Sequence, residues 1–215
     1  MSSISYEKVP ARYDPNVVLR VVTGHFATSQ SHITRFMDIT AMKSRCNEAK
    51  NAAKLLAMRY ESSIPVDSIV CLDGTEVVGT YLAEELTQVG VLSYNAHKSL
   101  YVLSPEYSAT GQIIFRDNMQ MSIRDKYILV LMGSVTTGKT LETALDCIRY
   151  YGGRISGACA FFSAVDKVED VDIHAIFHPS DVQGFASYKP AECPLCREQK
   201  PIDAIVNSFG YSALF

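Results

Sequence analysis

The chain has 215 residues, of which 47% are hydrophobic and 20% are charged, and its formal net charge is −3. This composition predicts one large globular domain, or one domain with an appendage, that is long enough to bury a sizeable core. The slight negative charge gives no reason to expect a nucleic-acid partner, and the apolar runs are far shorter than the roughly 20 residues that span a bilayer.

Two features predict a cytoplasmic location. The first residues carry no apolar signal segment. The six cysteines are scattered along the chain, and most of them fall inside predicted helices or strands, which is not typical of a disulfide framework. The cysteines inside predicted elements are Cys46, Cys71, Cys147 and Cys159.

Apolar spacing and turn residues predict strands that alternate with helices. Residues 1–45 are expected to form a small N-terminal hood, and residues 46–186 the core of a phosphate-binding domain. The elements predicted in the core are a helix at Glu48–Tyr60, a strand at Val66–Leu72, a helix at Glu76–Val89 capped by Thr75, short strands near 91–94, 98–103 and 112–115, a strand at Ile128–Met132, a helix from Leu141 to the pair Gly152-Gly153, and strands at Ile155–Phe162 and Ile173–Phe177. This alternation is typical of an α/β fold with a mostly parallel central sheet covered on both faces.

The tail, residues 187–215, breaks this pattern. Its first half is rich in proline and charge. We predict a C-terminal extension that packs back on the core, through Ile202, Ile205, Val206 and Phe209.

The tail also contains Cys193-Pro-Leu-Cys196. Two thiolates at this spacing suit a structural zinc, but a tetrahedral site needs four ligands and the sequence holds no second Cys-x2-Cys. The missing pair could come from a partner subunit's tail, or from His174 and His178. Cys193 and Cys196 are therefore candidate zinc ligands without an assigned second half.

A stretch near the middle of the core predicts an anion site. The strand at Ile128–Met132 leads into Gly133-Ser-Val-Thr-Thr-Gly-Lys-Thr140, and a helix follows. Such a turn directs backbone N–H groups at one spot, and the helix dipole favours an anion there. The turn satisfies the Gly-x4-Gly-Lys-Thr pattern of P-loop nucleotide triphosphatases, in which Lys139 would reach the outer phosphates and Thr140 would bind Mg²⁺.

A second strand-to-helix turn lies upstream at Asp73-Gly74-Thr75-Glu76. Two such turns on one parallel sheet suit a ligand with a phosphate at one end and a pyrophosphate at the other, which is the geometry of phosphoribosyl pyrophosphate (PRPP). A P-loop usually opens its domain, whereas only residues 141–215 follow this one. These points favour the PRPP loop of type I phosphoribosyltransferases, with two ordinary strand–helix turns as the alternative.

Four motifs in this order resemble the orotate phosphoribosyltransferase family, which has the type I phosphoribosyltransferase fold. Gly24-His25-Phe26, followed by Ser31-His32-Ile33, is similar to the family's N-terminal substrate segment. The segment from Ser68 to Leu86 resembles its pyrophosphate loop and the helix after it, and Thr136–Thr140 matches its 5′-phosphate loop. The Cys-Pro-Leu-Cys tail is similar to that of some bacterial members.

The resemblance implies a pentosyltransferase. A nitrogen of orotate or another base would attack C1 of the ribose of PRPP, and Mg²⁺ would neutralise the leaving pyrophosphate, within a homodimer. The resemblance assigns the 5′-phosphate to Ser134, Val135, Thr136, Thr137, Gly138, Lys139 and Thr140. It assigns the pyrophosphate to Asp73, Gly74, Thr75 and Glu76, and the base to His25 and Phe26.

Two parts of the family pattern are absent. The acidic pair that accepts hydrogen bonds from the ribose hydroxyls aligns with Met132-Gly133, and neither side chain is an acceptor. The segment Tyr101–Gly111, where the family carries catalytic Arg and Lys residues, contains no basic residue, so Lys98 and Arg116 are the nearest candidates. Electrostatic stabilisation is often the largest catalytic term. Transfer is therefore expected to be weak, with a non-catalytic nucleotide or PRPP sensor as the alternative and a P-loop hydrolase third.

Overall fold

The computed structural model describes residues 5–60, 63–88, 93–96, 98–109 and 111–214. The elements of these residues are, in chain order, β1 (Glu7–Pro10), β2 (Val18–Ala27), β3 (His32–Asp38), α1 (Thr40–Ser44), α2 (Cys46–Ala57), β4 (Ser68–Cys71), α3 (Glu76–Gln88), β5 (Tyr101–Leu103), β6 (Glu106–Tyr107), β7 (Ile113–Ile114), α4 (Asp117–Gln120), β8 (Tyr127–Val135), α5 (Lys139–Tyr150), β9 (Arg154–Ser163), β10 (Lys167–Val168), β11 (Val171–Phe177), β12 (Ser187–Tyr188), α6 (Pro194–Arg197), β13 (Ala204–Asn207) and β14 (Gly210–Ala213). No helix among them is long and apolar enough to cross a membrane.

A six-stranded sheet of order β10-β11-β9-β8-β4-β5 forms the core. All its pairings are parallel except the edge pair β10–β11. Successive side chains of a strand point to opposite faces, so Leu129 and Leu131 of β8 pack with α2 and α3, whereas Val130 and Met132 pack with α5. The predicted α/β architecture, a mostly parallel sheet covered on both faces, is confirmed.

The helix after the phosphate turn ends where the sequence predicts. Its last residue is Tyr150, and Gly152 then adopts a left-handed conformation with φ of 82°. The predicted strand near 91–94 lies partly outside the described residues, and Ser93–Ala96 form a turn.

A second six-stranded sheet, the hood sheet, combines both ends of the chain. It has the order β12-β3-β2-β13-β14, with β1 also paired to β2. Strand β12 is antiparallel to β3, and β13 is parallel to β2. The described residues of the tail therefore supply three strands of the hood sheet, and the β13–β14 turn contacts the core through Ser208 and Asp73.

Of the residues predicted to pack the tail, Val206 is buried as expected, but Ile205 and Phe209 are exposed. Ala204 and Val206 are 3% exposed, whereas Ile205 is 55% and Phe209 is 70% exposed. The cause is the strand period of two, which turns alternate residues of β13 towards the hood core. Together with three residues of β2 and β3, these two form a small cluster: Phe26, Ile33, Phe36, Ala204 and Val206.

Candidate functional site

A cleft of about 360 Å³ opens between the hood sheet and the end of core strand β8. Three groups of residues line it. The hood contributes Thr28–Ser31, Phe36, Met37, Ile39 and Thr40, the core contributes Asp73, Met132 and the loop Ser134–Leu141, and the β13–β14 hairpin contributes Ile205–Ser208 and Gly210. All seven residues of the predicted 5′-phosphate loop, Ser134 to Thr140, are thus brought to one cavity.

The backbone conformation of the phosphate loop requires a glycine at position 138. Its φ is 80°, a left-handed conformation that favours glycine, and a Cβ there would lie 2.5 Å from Cγ2 of Val168. Gly138 also occupies the N-cap position of α5 and has no side chain to cap it. The first N–H groups of the helix are therefore left for another acceptor, as at anion-binding helix starts.

Three threonine hydroxyls of the loop have no hydrogen-bond partner among the described residues. They belong to Thr136, Thr137 and Thr140, which all line the cleft. A hydroxyl offers one donor and two acceptor positions. These groups and the open helix start form a donor-rich surface of a size that suits one phosphate group.

The P-loop interpretation is wrong on geometry. A P-loop wraps its backbone N–H groups around a phosphate, but here β8 extends through Val135, and Ser134 and Val135 pair with β9. Only residues 136–138 remain as a loop. Lys139 lies against its own helix, with Nζ 2.8 Å from Glu142, and this carboxylate raises the pKa of Lys139.

Hydrophobic packing replaces the acidic pair beside the loop. Met132 is 2% exposed and belongs to the core cluster under α5. At Gly133 a Cβ would lie 2.7 Å from Cδ1 of Ile39, a buried hood residue. Ile39 of the hood therefore occupies the space that an acidic side chain at position 133 would need.

A carboxylate from a different strand lies beside this position. Asp73 follows β4 in a left-handed conformation with φ of 62° and lines the cleft. Its Oδ2 accepts a hydrogen bond of 3.3 Å from the Gly133 N–H, and its Oδ1 accepts one of 2.7 Å from the Ser208 hydroxyl. Asp73 thereby connects the core loop to the β13–β14 turn.

Lys43 secures the same turn. It is 8% exposed, and its Nζ donates to the backbone carbonyl oxygens of Asp73 at 2.7 Å and Ser208 at 2.6 Å. Burial lowers the pKa of Lys43, and the carboxylates of Asp73, Glu76 and Asp38 partly oppose this shift. Sequence analysis missed this residue because nothing in its local pattern marks a lysine that bonds to carbonyl oxygens.

The predicted pyrophosphate turn is mostly unavailable from the cleft. Thr75 is fully buried, and its hydroxyl donates to the carbonyl oxygens of Leu72 and Leu131. The ring of Phe209 lies 3.4 Å from where a Cβ of Gly74 would stand. Glu76 accepts a 2.5 Å hydrogen bond from Ser104. Of the four residues, Asp73 alone lines the described part of the cleft.

The described lining of the cleft offers a Mg²⁺ ion one carboxylate, so an ion bound there would depend on the phosphates of a ligand. Mg²⁺ is usually held by one or two carboxylates together with substrate phosphates. Asp73 is the one carboxylate among the described lining residues, and both of its oxygens already accept hydrogen bonds.

The two candidate catalytic cations lie outside the cleft lining. Lys98 Nζ is 3.5 Å from Asp67, and Arg116 forms a 2.5 Å ion pair with Glu106 of the β6–β7 hairpin. Each cation is thus paired with a local carboxylate.

The two candidate base-binding residues point elsewhere. Phe26 is 5% exposed in the hood cluster, 6.0 Å from the ring of Phe36. His25 is 3% exposed, and its ring lies beside His32, Cys193 and Cys196. Both assignments to the base are therefore corrected, and the hood residues that face the phosphate loop across the cleft are Thr28–Ser31 and Phe36.

Comparison with known proteins is consistent with this geometry. No protein-family model matches the chain. An orotate phosphoribosyltransferase of Chlorobium phaeobacteroides is 26% identical over 187 residues, covering 86% of this chain and 88% of that protein. One from Carboxydothermus hydrogenoformans is 24% identical over 185 residues, covering 85% and 88%.

Solved structures show the same fold. The orotate phosphoribosyltransferase of Mycobacterium tuberculosis, in complex with Fe(III) dicitrate, matches 77% of this chain and 93% of its own with a TM-score of 0.53 at 15% identity. The same protein in complex with PRPP matches 68% and 82% with a TM-score of 0.51 at 14% identity.

The chain thus has the type I phosphoribosyltransferase fold, with its cleft at the end of the parallel strands. Within that class it resembles the orotate phosphoribosyltransferases over most of its length, as its motifs predict. Met132-Gly133 stands at the position that this resemblance gives to the acidic pair.

Proposed function

We propose that this phosphoribosyltransferase-like protein binds a nucleoside 5′-monophosphate in the cleft and transfers phosphoribosyl groups at most weakly. The observation that carries the proposal is a set of three hydroxyls beside the uncapped start of α5, those of Thr136, Thr137 and Thr140, which have no hydrogen-bond partner in the described part of the chain. These groups would donate to the 5′-phosphate. A pyrimidine is the expected base, because the curated relatives are orotate phosphoribosyltransferases.

The end of the cleft at the Asp73–Glu76 turn favours the binding of a monophosphate over the binding of PRPP. A pyrophosphate at the Asp73–Glu76 turn would meet two carboxylates, and like charges in close contact repel. It would also have to displace the Ser208 hydroxyl and the Phe209 ring from Asp73 and Gly74. The nearest buried cation, Lys43, already has two carbonyl partners.

Transfer from PRPP to orotate or another base is the second candidate. It is favoured by the Asp73 carboxylate, which lies 3.3 Å from the Gly133 N–H, next to where the family carries its acids. If Ser208 releases it, this carboxylate is close enough to accept a hydrogen bond from a ribose hydroxyl. The homodimer, the base and the cytoplasmic location remain predictions.

Calorimetric titration with orotidine 5′-monophosphate, uridine 5′-monophosphate and PRPP, each with and without Mg²⁺, tests the proposal. The monophosphates are expected to bind with the same affinity in both conditions, and more tightly than PRPP. Mixing orotate, PRPP and Mg²⁺ should release pyrophosphate slowly or not at all. Rapid release would establish the second candidate instead, and no binding of any of the three ligands would contradict both.

Asp73→Asn separates the two candidates. Asparagine is tolerated in the left-handed conformation and can still accept from Ser208. Because the change removes a negative charge near the ligand, the affinity for a monophosphate should stay equal or rise. Any residual pyrophosphate release should be lost, since the only carboxylate of the described cleft lining is gone. A large loss of monophosphate affinity would show that Asp73 itself contacts the nucleotide.

A further inference from the structure

Four side chains from distant parts of the chain converge at the edge of the hood sheet. His25 lies on β2, His32 begins β3, Cys193 is the N-cap of the short helix α6, and Cys196 lies within that helix. One ligand atom from each, His25 Nε2, His32 Nδ1 and the two Sγ atoms, lies within 4.8 Å of all the others. Cys193 is 1% and His32 is 9% exposed, whereas Cys196 is at the surface.

Four of the six separations between these atoms are close to the edges of a zinc tetrahedron. With Zn–N of 2.0–2.1 Å and Zn–S of about 2.3 Å, a regular tetrahedron has N···N edges of about 3.3 Å and N···S edges of about 3.6 Å. The two imidazole nitrogens here are 3.2 Å apart. The N···S separations are 3.5 Å and 3.6 Å from His25 to Cys193 and Cys196, and 3.3 Å from His32 to Cys196.

Hydrogen bonds alone do not account for this arrangement. His25 Nδ1 lies 3.1 Å from the carbonyl oxygens of both Lys200 and Pro201. Carbonyls only accept, so Nδ1 carries a proton, and in the neutral ring Nε2 then presents a single lone pair. Three atoms, one nitrogen and two sulfurs, approach that lone pair within 3.6 Å. One lone pair accepts a hydrogen bond from one donor. A cation at the centre of the cluster, in contrast, would be bound by all four ligand atoms.

The carbonyl contacts also have the form of an outer-shell support. Histidine ligands of metals commonly donate their second ring N–H to a carbonyl or carboxylate, which fixes the ring and its tautomer. The two carbonyls come from residues 200 and 201, just after the Cys-x2-Cys turn. The same segment therefore supplies two ligands and orients a third.

We propose that His25, His32, Cys193 and Cys196 bind one structural zinc ion. On binding, each cysteine releases its thiol proton to solvent, and the two thiolates balance the charge of Zn²⁺. The ligand set is completed within one chain, by neither a partner subunit's tail nor His174, which lies beside Tyr60 and the Leu55 carbonyl.

The position of the site indicates what the ion does. Among the described residues, the hood cluster contains five buried side chains, and other buried residues of β2 and β3, such as Leu19 and Met37, pack in the main core instead. A metal that joins β2 and β3 to the tail would stabilise this sheet, as metals do in small domains. It would also fix the start of the segment that leads to β13 and to the Ser208 turn at Asp73. Neither role depends on what the cleft binds.

Metal analysis of the full-length, tag-free protein purified without chelator tests the proposal. We expect one zinc per chain by elemental mass spectrometry. Replacement of zinc by cobalt(II) should produce the intense visible bands of a tetrahedral ion and thiolate-to-metal charge transfer. Zinc-free protein from zinc-supplemented cells, weak octahedral cobalt bands, or a Cys193–Cys196 disulfide in the isolated protein would each overturn the proposal.

A pair of cysteine variants gives the matched comparison. Cys196→Ser replaces an exposed ligand and should abolish stoichiometric zinc, the charge-transfer band and several degrees of thermal stability. Cys46→Ser changes another exposed free cysteine, at the start of α2, and should leave all three unchanged. If Cys196→Ser fails to fold, chelation of the wild-type protein replaces it, and an unchanged melting temperature on complete zinc removal would contradict the structural role. Equal zinc loss in both variants would contradict the ligand assignment.

Discussion

Replacement of Thr137 by valine is expected to weaken the binding of a nucleoside 5′-monophosphate by about one to two orders of magnitude. A hydrogen bond to a charged group contributes roughly 1.5–3 kcal/mol, and valine keeps the shape of threonine while removing the donor. Thr137 is exposed, and its hydroxyl has no partner among the described residues, so the fold should be unaffected. Calorimetric titration gives the affinity, and thermal unfolding checks the fold.

Thr143→Val is the matched control for this change. Thr143 lies on α5, the helix that follows the loop, is also exposed, and uses its hydroxyl to donate to the Lys139 carbonyl within the helix. Because it does not line the cleft, its loss should leave the affinity unchanged. If both variants bind the nucleotide as tightly as the wild type, the 5′-phosphate is not held by this loop.

The core could be predicted from sequence because its signals are local. An apolar strand, a turn with glycine and threonine, and an amphipathic helix follow each other within residues 127–150. Each element is determined by its own spacing, and parallel strands joined by helices have few alternative arrangements. The same reasoning places Ser134–Thr140 at the end of a strand, where ligands bind in this class of sheet.

The contribution of the tail to the hood sheet could not be predicted in the same way. Its strand β13 is parallel to β2, which lies at the other end of the chain, and no local pattern specifies that pairing. The tail was interpreted as a packed extension because its short strands resemble loops in composition. Pairing across such a separation is decided by the assembled sheet.

The cluster of two histidines and two cysteines shows the limit of assigning residues by resemblance. His25 was assigned to the base through a motif, yet 168 residues separate it from Cys193, which it contacts. The cysteine spacing indicated half of a metal site, and only the folded chain shows which histidines stand opposite. A search for four ligands split between the two chain ends could have raised the pairing as a hypothesis, but could not have selected it.

At the end of the cleft where the ribose would lie, the packing around Gly133 leaves no room for an acidic side chain. Ile39 occupies the space above Gly133, Met132 is part of the core, and Asp73 is committed to Gly133 and Ser208. An acid cannot therefore be restored by one substitution.

Gly133→Asp alone is expected to destabilise the protein by roughly 1–3 kcal/mol, because its Cβ would meet Cδ1 of Ile39 and its carboxylate would adjoin Asp73. Ile39→Val removes that Cδ1 carbon at a cost of about 0.5–1.5 kcal/mol. The two changes should be non-additive, since each alters the same contact. Chemical denaturation of both single variants and the double variant should give a double variant at least as stable as Gly133→Asp.

The double variant should also gain Mg²⁺-dependent affinity for PRPP, by about one to two orders of magnitude, because a charged acceptor returns beside the ribose. Ile39→Val paired with Gly133→Asn is the matched control, since it fills the same space without the charge. A gain shared by both pairs would mean that shape, and not the acid, limits PRPP binding. Unchanged affinity in a folded Asp variant would mean that the Ser208 turn over Asp73, and not the missing acid, closes this end of the cleft.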